Sequence, residues 1–531
     1  MKTLNSTALV LACALAGASP AFAQVPSTND TSAGSNTGSG TDALKTLGGI
    51  SGSNVGALNS AFGLDALFSN STGSDNTAFG TAALEANSTG SFNTASGVLA
   101  LGRNATGSEN TAVGYQALLT NTASENTAVG YQALSANTGG AQNTASGYAA
   151  LSSNTTGSNN TASGFQALFS NTTGNDNTAS GFNALFTNQT GSVNTATGYT
   201  ALAANTTGAD NAAYGVDALN KNSTGSFNSA FGAESLAFNA ASENSAVGYG
   251  SLHSNDSGAS NAAVGFQTLY FNTSGNDNTA TGFEALYQNT TGNSNTATGF
   301  DALYANKTGH DNTALGQAAL RANKSGSNNI AVGFQAGLNL TIGSNNIDIG
   351  SPGVAGEANT IRIGTSQTTT YIAGSNTPLT GTLSTLMITS TGQIGVKMSS
   401  ARFKKDIRSM GAASEKLHEL RPVTFHYRND AGGNLEYGLI AEEVARVYPE
   451  LVIRDAAGRI DSVRYDELAP LLLNEVQKEH RQMLAAARAY AAQARAMHDL
   501  TQQVAQLRAV NEATQVALRR LEAKNVQMAQ R

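Results

Sequence analysis

The chain of 531 residues has no tryptophan and one cysteine, and only 12% of its residues are charged. Cys13 lies near the start, so no disulfide framework holds the remainder together. Only Lys2, Lys45, Arg103, Lys221, Lys307, Arg321 and Lys324 supply positive side chains before residue 350, out of 29 Lys and Arg in all. That long stretch therefore offers no basic surface for a phosphate backbone, which excludes nucleic acid as its partner. Past the leader, no apolar run approaches the roughly 20 residues of a membrane-spanning helix. No metal-ligand cluster and no phosphate-binding loop is present, so neither a cofactor nor a metal is expected. The length excludes one compact core and points to several domains or a repeat array.

The first 23 residues read as an export signal. Lys2 supplies the charge, Ala8–Ala16 the short apolar run, and Ala21-Phe-Ala23 the small-residue cleavage site. Val10-Leu-Ala-Cys13 faintly matches a lipid-attachment box, but the Ala-Phe-Ala site fits better. A protein exported to the bacterial surface or the medium is expected. Residues 24–58, rich in Ser, Thr, Gly and Asn, read as a flexible segment.

From Asn59 a repeat takes over. Asn160-Thr-Ala-Ser-Gly-Phe-Gln-Ala-Leu-Phe-Ser-Asn-Thr-Thr-Gly-Asn-Asp176 is followed by Asn177-Thr-Ala-Ser-Gly-Phe-Asn-Ala-Leu185, and the leading Asn recurs to Asn346 at a spacing of 17 residues. Two units, 110–126 and 228–244, are one residue shorter and share an Ala-Ser-Glu ending. Such a period predicts stacked rungs over 59–350, because one unit buries too little to offset its own ordering entropy. Stacking is expected to bury the Ala, the Phe or Tyr and the Ala-Leu pair as one stripe. The two Asn columns, at the first and twelfth positions, form amide ladders, and the glycines make the corners. The stripe looks thin for one chain, which predicts a core shared among several. The Asn-x-Thr triplets match a glycosylation pattern but follow from the corner chemistry of the repeat. The Asn-x-Ala-x-Gly-x-x-Ala units resemble the head repeats of trimeric autotransporter adhesins, with a longer period. Residues 351–398, with Ile-rich alternating segments and Ser390-Thr-Gly-Gln-Ile-Gly395 as a turn, read as a β-rich neck.

At Ser399-Ser-Ala-Arg-Phe-Lys-Lys-Asp-Ile407 the composition changes. Ser399 and Lys404 are five apart, and a lysine stripped of water can act as base for a serine; Ser400 and Lys405 share the same interval. Three further blocks follow: Leu420-Arg-Pro-Val-Thr-Phe-His-Tyr427, Tyr437-Gly-Leu-Ile-Ala-Glu-Glu-Val444 and Tyr465-Asp-Glu-Leu-Ala-Pro-Leu-Leu-Leu-Asn-Glu-Val476. Together the four resemble the endosialidase-type intramolecular chaperones found at the C-termini of phage tail spikes. The resemblance covers about residues 399–480 and implies a domain that trimerises, guides folding of the fibre before it and cuts itself off. It implies Ser399 as nucleophile and Lys404 as general base, with Arg402, Phe403 and Ile407 completing the motif and cleavage at or next to Ser399. That register sets aside Ser400 and Lys405; Ser400 itself departs from the Asp of the family motif. His418 and His426 read as partly buried, hydrogen-bonded histidines, and Glu442-Glu443 as a helix face.

From Leu471 to Arg531 the chain has no Gly or Pro, and Leu500, Val504, Leu507, Asn511, Thr514, Leu518, Leu521, Asn525 and Met528 alternate steps of four and three. This is a heptad seam with Asn at two register-setting positions, so 479–531 is expected to form a coiled coil; the resemblance supplies three strands. The expected architecture is thus a mainly β repeat stalk, as a trimeric β-roll or β-helix, then a small α+β chaperone domain over 399–478 and the coiled coil. The expected protein is an exported homotrimeric fibre or adhesin, its partner being itself and any surface ligand unidentified. The alternatives are a fibre-borne glycan hydrolase, for which the repeats offer only scattered acids such as Asp176, Asp210 and Glu284, and an uncleaved fibre that keeps its chaperone. A cargo-releasing switch would need an anchor beyond the junction, and no transmembrane segment follows it.

Overall fold

The computed structural model describes residues 36–45, 56–370, 386–389, 393–428, 432–455 and 457–530. The expected signal peptide at 1–23, including Cys13, lies outside these residues, as do most of 24–58 and part of the neck. Two compact units divide between Thr370 and Tyr371.

The first unit is a parallel β-solenoid. Twenty three-residue strands, from β1 (Thr37–Ser39) to β20 (Ile361–Ile363), join in one sheet. Each pairs in register with the strand one rung on, as in Thr161↔Thr178, Ala162↔Ala179 and Ser163↔Ser180. Within each strand the central residue, nearly always Ala, points inward and its neighbours point out. The glycine that follows ends the strand: Gly164 has φ +139°, and a Cβ there would lie 2.4 Å from the Gly181 carbonyl oxygen of the next rung. At the ordinary strand spacing of about 4.8 Å, twenty rungs extend about 90 Å.

The ladder outruns the repeat at both ends. Residues 36–45, within the segment expected to be flexible, form a rung: β1 pairs with Ser60–Phe62, the Asn59 amide N–H donates to Asn36 Oδ1 at 2.8 Å, and Ala43 and Leu44 are buried. Its leading Asn stands 23 residues before Asn59, which hides it from a search at period 17. At the other end, Ile361–Ile363 of the expected neck pairs with Ile347–Ile349.

The core is closed by one chain. Ala162, Ala167, Leu168, Asn160 and Asn171 are 0% exposed, and their counterparts behave alike from rung to rung. The expected shared core is thereby corrected: the apolar stripe is thin because two asparagine columns fill the rest of the interior. Asn177 Nδ2 donates to Asn160 Oδ1 at 3.1 Å and to the Gly191 carbonyl at 2.9 Å, while Asn160 Oδ1 also accepts the Asn177 backbone N–H at 3.0 Å. In the second column Asn171 Nδ2 donates to Asn154 Oδ1 at 2.8 Å and to the Gly174 carbonyl at 3.0 Å. Burying an amide without partners costs roughly 2–7 kcal/mol, so these columns hold only because each amide is satisfied by the next rung. The Asn-x-Thr triplets place Asn154, Asn171 and Asn205 in this ladder, shut away from any glycan. The second column ends at Asn323, whose Oδ1 has no partner among the described residues, because Leu340 takes the amide's place in the following rung.

Each ninth-position leucine lies in left-handed backbone, as Leu168 does at φ 52°. That conformation costs about 1–2 kcal/mol, and burying the leucine recovers about 1.5–3 kcal/mol. In the short rungs the missing residue is a corner residue. Asn121 Nδ2 reaches the Ala123 carbonyl two residues on at 2.6 Å, where regular rungs reach a glycine three on, and Asn126 Nδ2 turns to Asn121 Oδ1.

The Phe and Tyr of the sixth position are the second correction. They are exposed, not buried: Phe165 is 42% exposed and stacks on Tyr148 and Phe182 with ring centroids 5.0 and 5.1 Å away. The glycine corner turns this position outward, and the interior is already full of Ala, Leu and Asn.

Near the C-terminal end of the ladder, Asp348 takes the inward place that Ala331 holds one rung earlier. It is 1% exposed, and neither carboxylate oxygen has a hydrogen-bond partner among the described residues. Burial, and then the nearby Glu357, push its carboxyl up to about 6, against the pull of Arg362. Glu357 is itself raised by burial, but the Arg362 guanidinium and the Val354 N–H outweigh this and hold it below the ordinary range.

The second unit contains three two-stranded antiparallel sheets, a short helix α1 (Ala441–Val447) and a long helix α2 (Tyr465–Ala529). Its core is small: Val444, Tyr448, Leu451, Val452, Val463 and Leu471. The heptad residues of α2 make no part of it; Leu507, Leu518 and Leu521 are 68%, 56% and 60% exposed.

Two outcomes follow from the ladder and its end. Asn177→Ala removes donors and acceptors from two neighbouring rungs, so a local loss of about 2–4 kcal/mol is expected. It is read as faster hydrogen exchange across rungs 160–194, while the exposed Thr173→Ala stays within about 0.5 kcal/mol. For Asp348 the folded carboxyl titrates above its unfolded value of 3.8, at about 6. The fold then takes up a proton in that window and loses stability as pH rises through it. Exchange of the 347–363 amides is expected to quicken from pH 5 to pH 7 more than intrinsic exchange chemistry does, and Asp348→Asn to remove that excess.

Candidate serine–lysine site

The junction is built from a hairpin and a tight turn. Leu386–Ile388 pairs antiparallel with Ile394–Val396, which delivers Lys397 to Ser399 in extended form. Ser400 then opens a 3₁₀ turn, Ala401–Phe403, closed by the Phe403 N–H on the Ser400 carbonyl and the Lys404 N–H on the Ala401 carbonyl, both 3.0 Å. This turn reverses the chain, so the spacing of five brings side chains together: Lys404 Nζ donates to Ser399 Oγ at 3.2 Å. No bond joins Ser400 to Lys405 among the described residues. Of the supporting residues, the Arg402 guanidinium lies over the Phe403 ring, 4.7 Å from its centroid, and Phe403 and Ile407 are exposed.

Ser399 and Lys404 border a cleft of about 810 Å³ whose walls include Met398, Met410, Leu451 and Leu471. One feature of its rim has no signal in the sequence. Lys397 Nζ lies 2.7 Å from Asp466 Oδ2 and 3.1 Å from Glu467 Oε1, tying the residues just before Ser399 to the first turn of α2. The Asp466 hydrogen bond, then that to Glu467, raises the Lys397 ammonium above its usual range, and Lys397 holds Asp466 below its own. Partners 69 residues apart leave no local pattern to read.

The other sequence blocks meet one another. Arg421 of the second grips Glu443 of the third through two hydrogen bonds of 3.1 and 2.6 Å. The Tyr465 hydroxyl of the fourth accepts the Leu439 N–H at 2.8 Å, and a Cβ on Gly438 would lie 2.7 Å from that hydroxyl. Ser414, 0% exposed, donates to Glu475 Oε2 at 2.7 Å and accepts from Asn474 at 2.6 Å, anchoring α2 to the turn after the junction. Glu443 is thus engaged by Arg421 and sits in the first turn of α1, where an acid is favoured. His418 and His426 are exposed rather than partly buried; His426 Nδ1 is 2.9 Å from the Asn434 carbonyl oxygen.

Chemically, a hydroxyl 3.2 Å from an amine can lose its proton to it once that amine is neutral. An ammonium only donates, and making it neutral requires that water be kept away. Here both side chains are open to solvent.

The model of a known family, the chaperone of endosialidase, matches residues 399–453, which hold the Ser399–Lys404 turn, the Arg421–Glu443 pair and α1. No curated protein and no solved structure shows significant similarity to the chain. The chain therefore joins a β-solenoid stalk to a domain similar to the chaperone of endosialidase.

Proposed function

We propose that this is an exported homotrimeric fibre whose C-terminal domain aligns three chains, helps the stalk fold and then cuts the chain at or next to Ser399. The observation that carries the reading is the Ser399–Lys404 contact inside the segment matched by the chaperone family. The exposed heptad seam of α2 supplies the means of alignment, since its leucines lie open to solvent.

In the proposed step Ser399 Oγ attacks the carbonyl carbon of the adjacent peptide bond while its proton passes to the neutral Lys404 amine. The tetrahedral intermediate collapses, the peptide nitrogen leaves with that proton, and water later hydrolyses the ester. Because one chain leaves the pair wet, the neutral amine arises only when neighbouring copies cover the cleft. Cleavage is then a consequence of assembly, and it occurs once per chain.

Expression of the wild type, Ser399→Ala and Lys404→Ala tests this. Two fragments from the first and one intact chain from each variant are expected on denaturing gels with mass analysis; one intact band from all three leaves only the uncleaved fibre. The lag before cleavage should shorten as protein concentration rises, and a concentration-independent rate overturns the link to assembly. Removal of residues 479–531 is expected to abolish the trimer mass in light scattering.

A further inference from the structure

The first six positions of the rung carry an unexplained regularity on the outside of the solenoid. The fourth and sixth residues flank the glycine corner and point outward. Where the sixth is small or polar, the fourth is large: Phe79 goes with Thr81, Phe231 with Ala233, and Leu315 with Gln317. From Asn59 through the rung of Asn329, every rung keeps at least one bulky apolar side chain at this corner, and none has a charge at its second, fourth or sixth position. Yet the bulk touches only its own row, as Phe231 does in stacking on Tyr214 at 4.8 Å, and is otherwise left to solvent. Phe79, Phe231 and Leu315 are 61%, 43% and 49% exposed. The tenth position, also outward, behaves differently, since Glu85, Ser152, Asn220 and Arg321 all occupy it. An uncharged, bulk-conserving stripe beside a variable one that admits charge is the composition of an interface core.

We infer that this corner stripe is where the stalks of separate copies of the chain pack side by side, parallel and in register. The inference rests on the reading that the chain self-associates and names the face that does it. Three observations select a second copy as the occupant. The stripe repeats with the rung, and only a surface with the same rise can meet it along its length; a second copy has that rise by construction. The ten Tyr and Phe of the sixth position between Tyr115 and Phe300 are 41–53% exposed. At about 200 Å² per ring this leaves roughly 900 Å² on that row alone, close to what each partner contributes to a standard stable interface. Finally, a sugar ring stacks on an aromatic face, and here the faces are taken: Phe182 lies between Phe165 and Tyr199 at 5.1 and 5.2 Å, tilted only 6° and 8°. Ring edges are left, and edges pack against apolar side chains.

The test places one thiol at a time in the full chain, with Cys13→Ser so that no other is present. Ser163→Cys lies on the stripe and Asp176→Cys at the exposed seventeenth position. Under mild oxidation Ser163→Cys is expected to give at least tenfold more chain-to-chain disulfide than Asp176→Cys. Adding Phe165→Arg and Phe182→Arg should lower that yield several-fold, while Tyr287→Arg on the tenth-position row should leave it unchanged. Trimers by light scattering without Ser163→Cys linkage, or with equal linkage at both sites, overturn this face and leave self-association standing. A monomer by light scattering overturns both.

Discussion

Everything in the stalk depends on the amide ladder. An asparagine interior is stable only while each amide finds the next, so a rung has no stable structure alone and little tolerance for a break in register. The oxygen of Asn160 is shared between the backbone and side-chain N–H groups of Asn177, so its column runs through both the turn and the core. The same dependence explains why the two short rungs lose a corner residue. At the corner the Asn121 amide needs only shift its acceptor from a glycine to Ala123, whereas a deletion in the strand would move every inward residue outward.

A structure built this way has a costly first step. Parallel strands 17 residues apart close a loop before any contact rewards it, and a slip by one rung costs little because the rungs are nearly alike. An external register therefore has value, and the second unit has the parts for one. α2 spans roughly 97 Å at 1.5 Å per residue, its apolar seam is exposed, and Asn511 and Asn525 interrupt that seam at positions that penalise misalignment. Its root is held by Ser414, Asn474 and Glu475, which ties α2 to the turn that follows the junction. Removal of such a domain afterwards would leave a stalk that unfolds slowly and refolds poorly, a kinetic form of stability.

Much of this was legible in the residues, because periodicity reports directly on stacking. The rungs, the inward Ala and Leu, the amide columns and the glycine corners follow from a strict period and the chemistry of Asn and Gly. The direction of the sixth position was not legible. An aromatic at a fixed place reads as core, and only the left-handed turn around Gly164 and Leu168 shows that the side chain emerges. The first rung was hidden by its longer spacing, and Asp348 by sitting where a hydrophobic pattern has no place for a carboxylate. At the junction, the interval of five suggested two serine–lysine pairs and the resemblance selected one; the contact of Ser399 with Lys404 depends on a 3₁₀ turn that no residue there strongly encodes. The ion pair of Lys397 with Asp466 belongs to tertiary structure alone.

The acids of the stalk bear on whether it also performs chemistry. Glycoside hydrolysis needs two carboxylates facing a cleft, one kept protonated and one free to attack or to activate water. The best approach to this is Glu284 and Asp301, seventh-position residues of successive rungs. Glu284 is raised, by burial and then by Asp301, as an acid catalyst would be. Its neighbour is not free: Asp301 accepts from Arg321 at 2.9 Å, and the same guanidinium lies 5.1 Å from the centre of the Tyr304 ring, so the charge is neutralised within the wall of the solenoid. Asp217 and Glu234 repeat the arrangement four rungs earlier, with Asp217 accepting from Thr200 and Asn220. In each pair the carboxylate that would have to react is already engaged in joining one rung to the next, which is the role expected of a side chain whose first duty is to keep the stack in register.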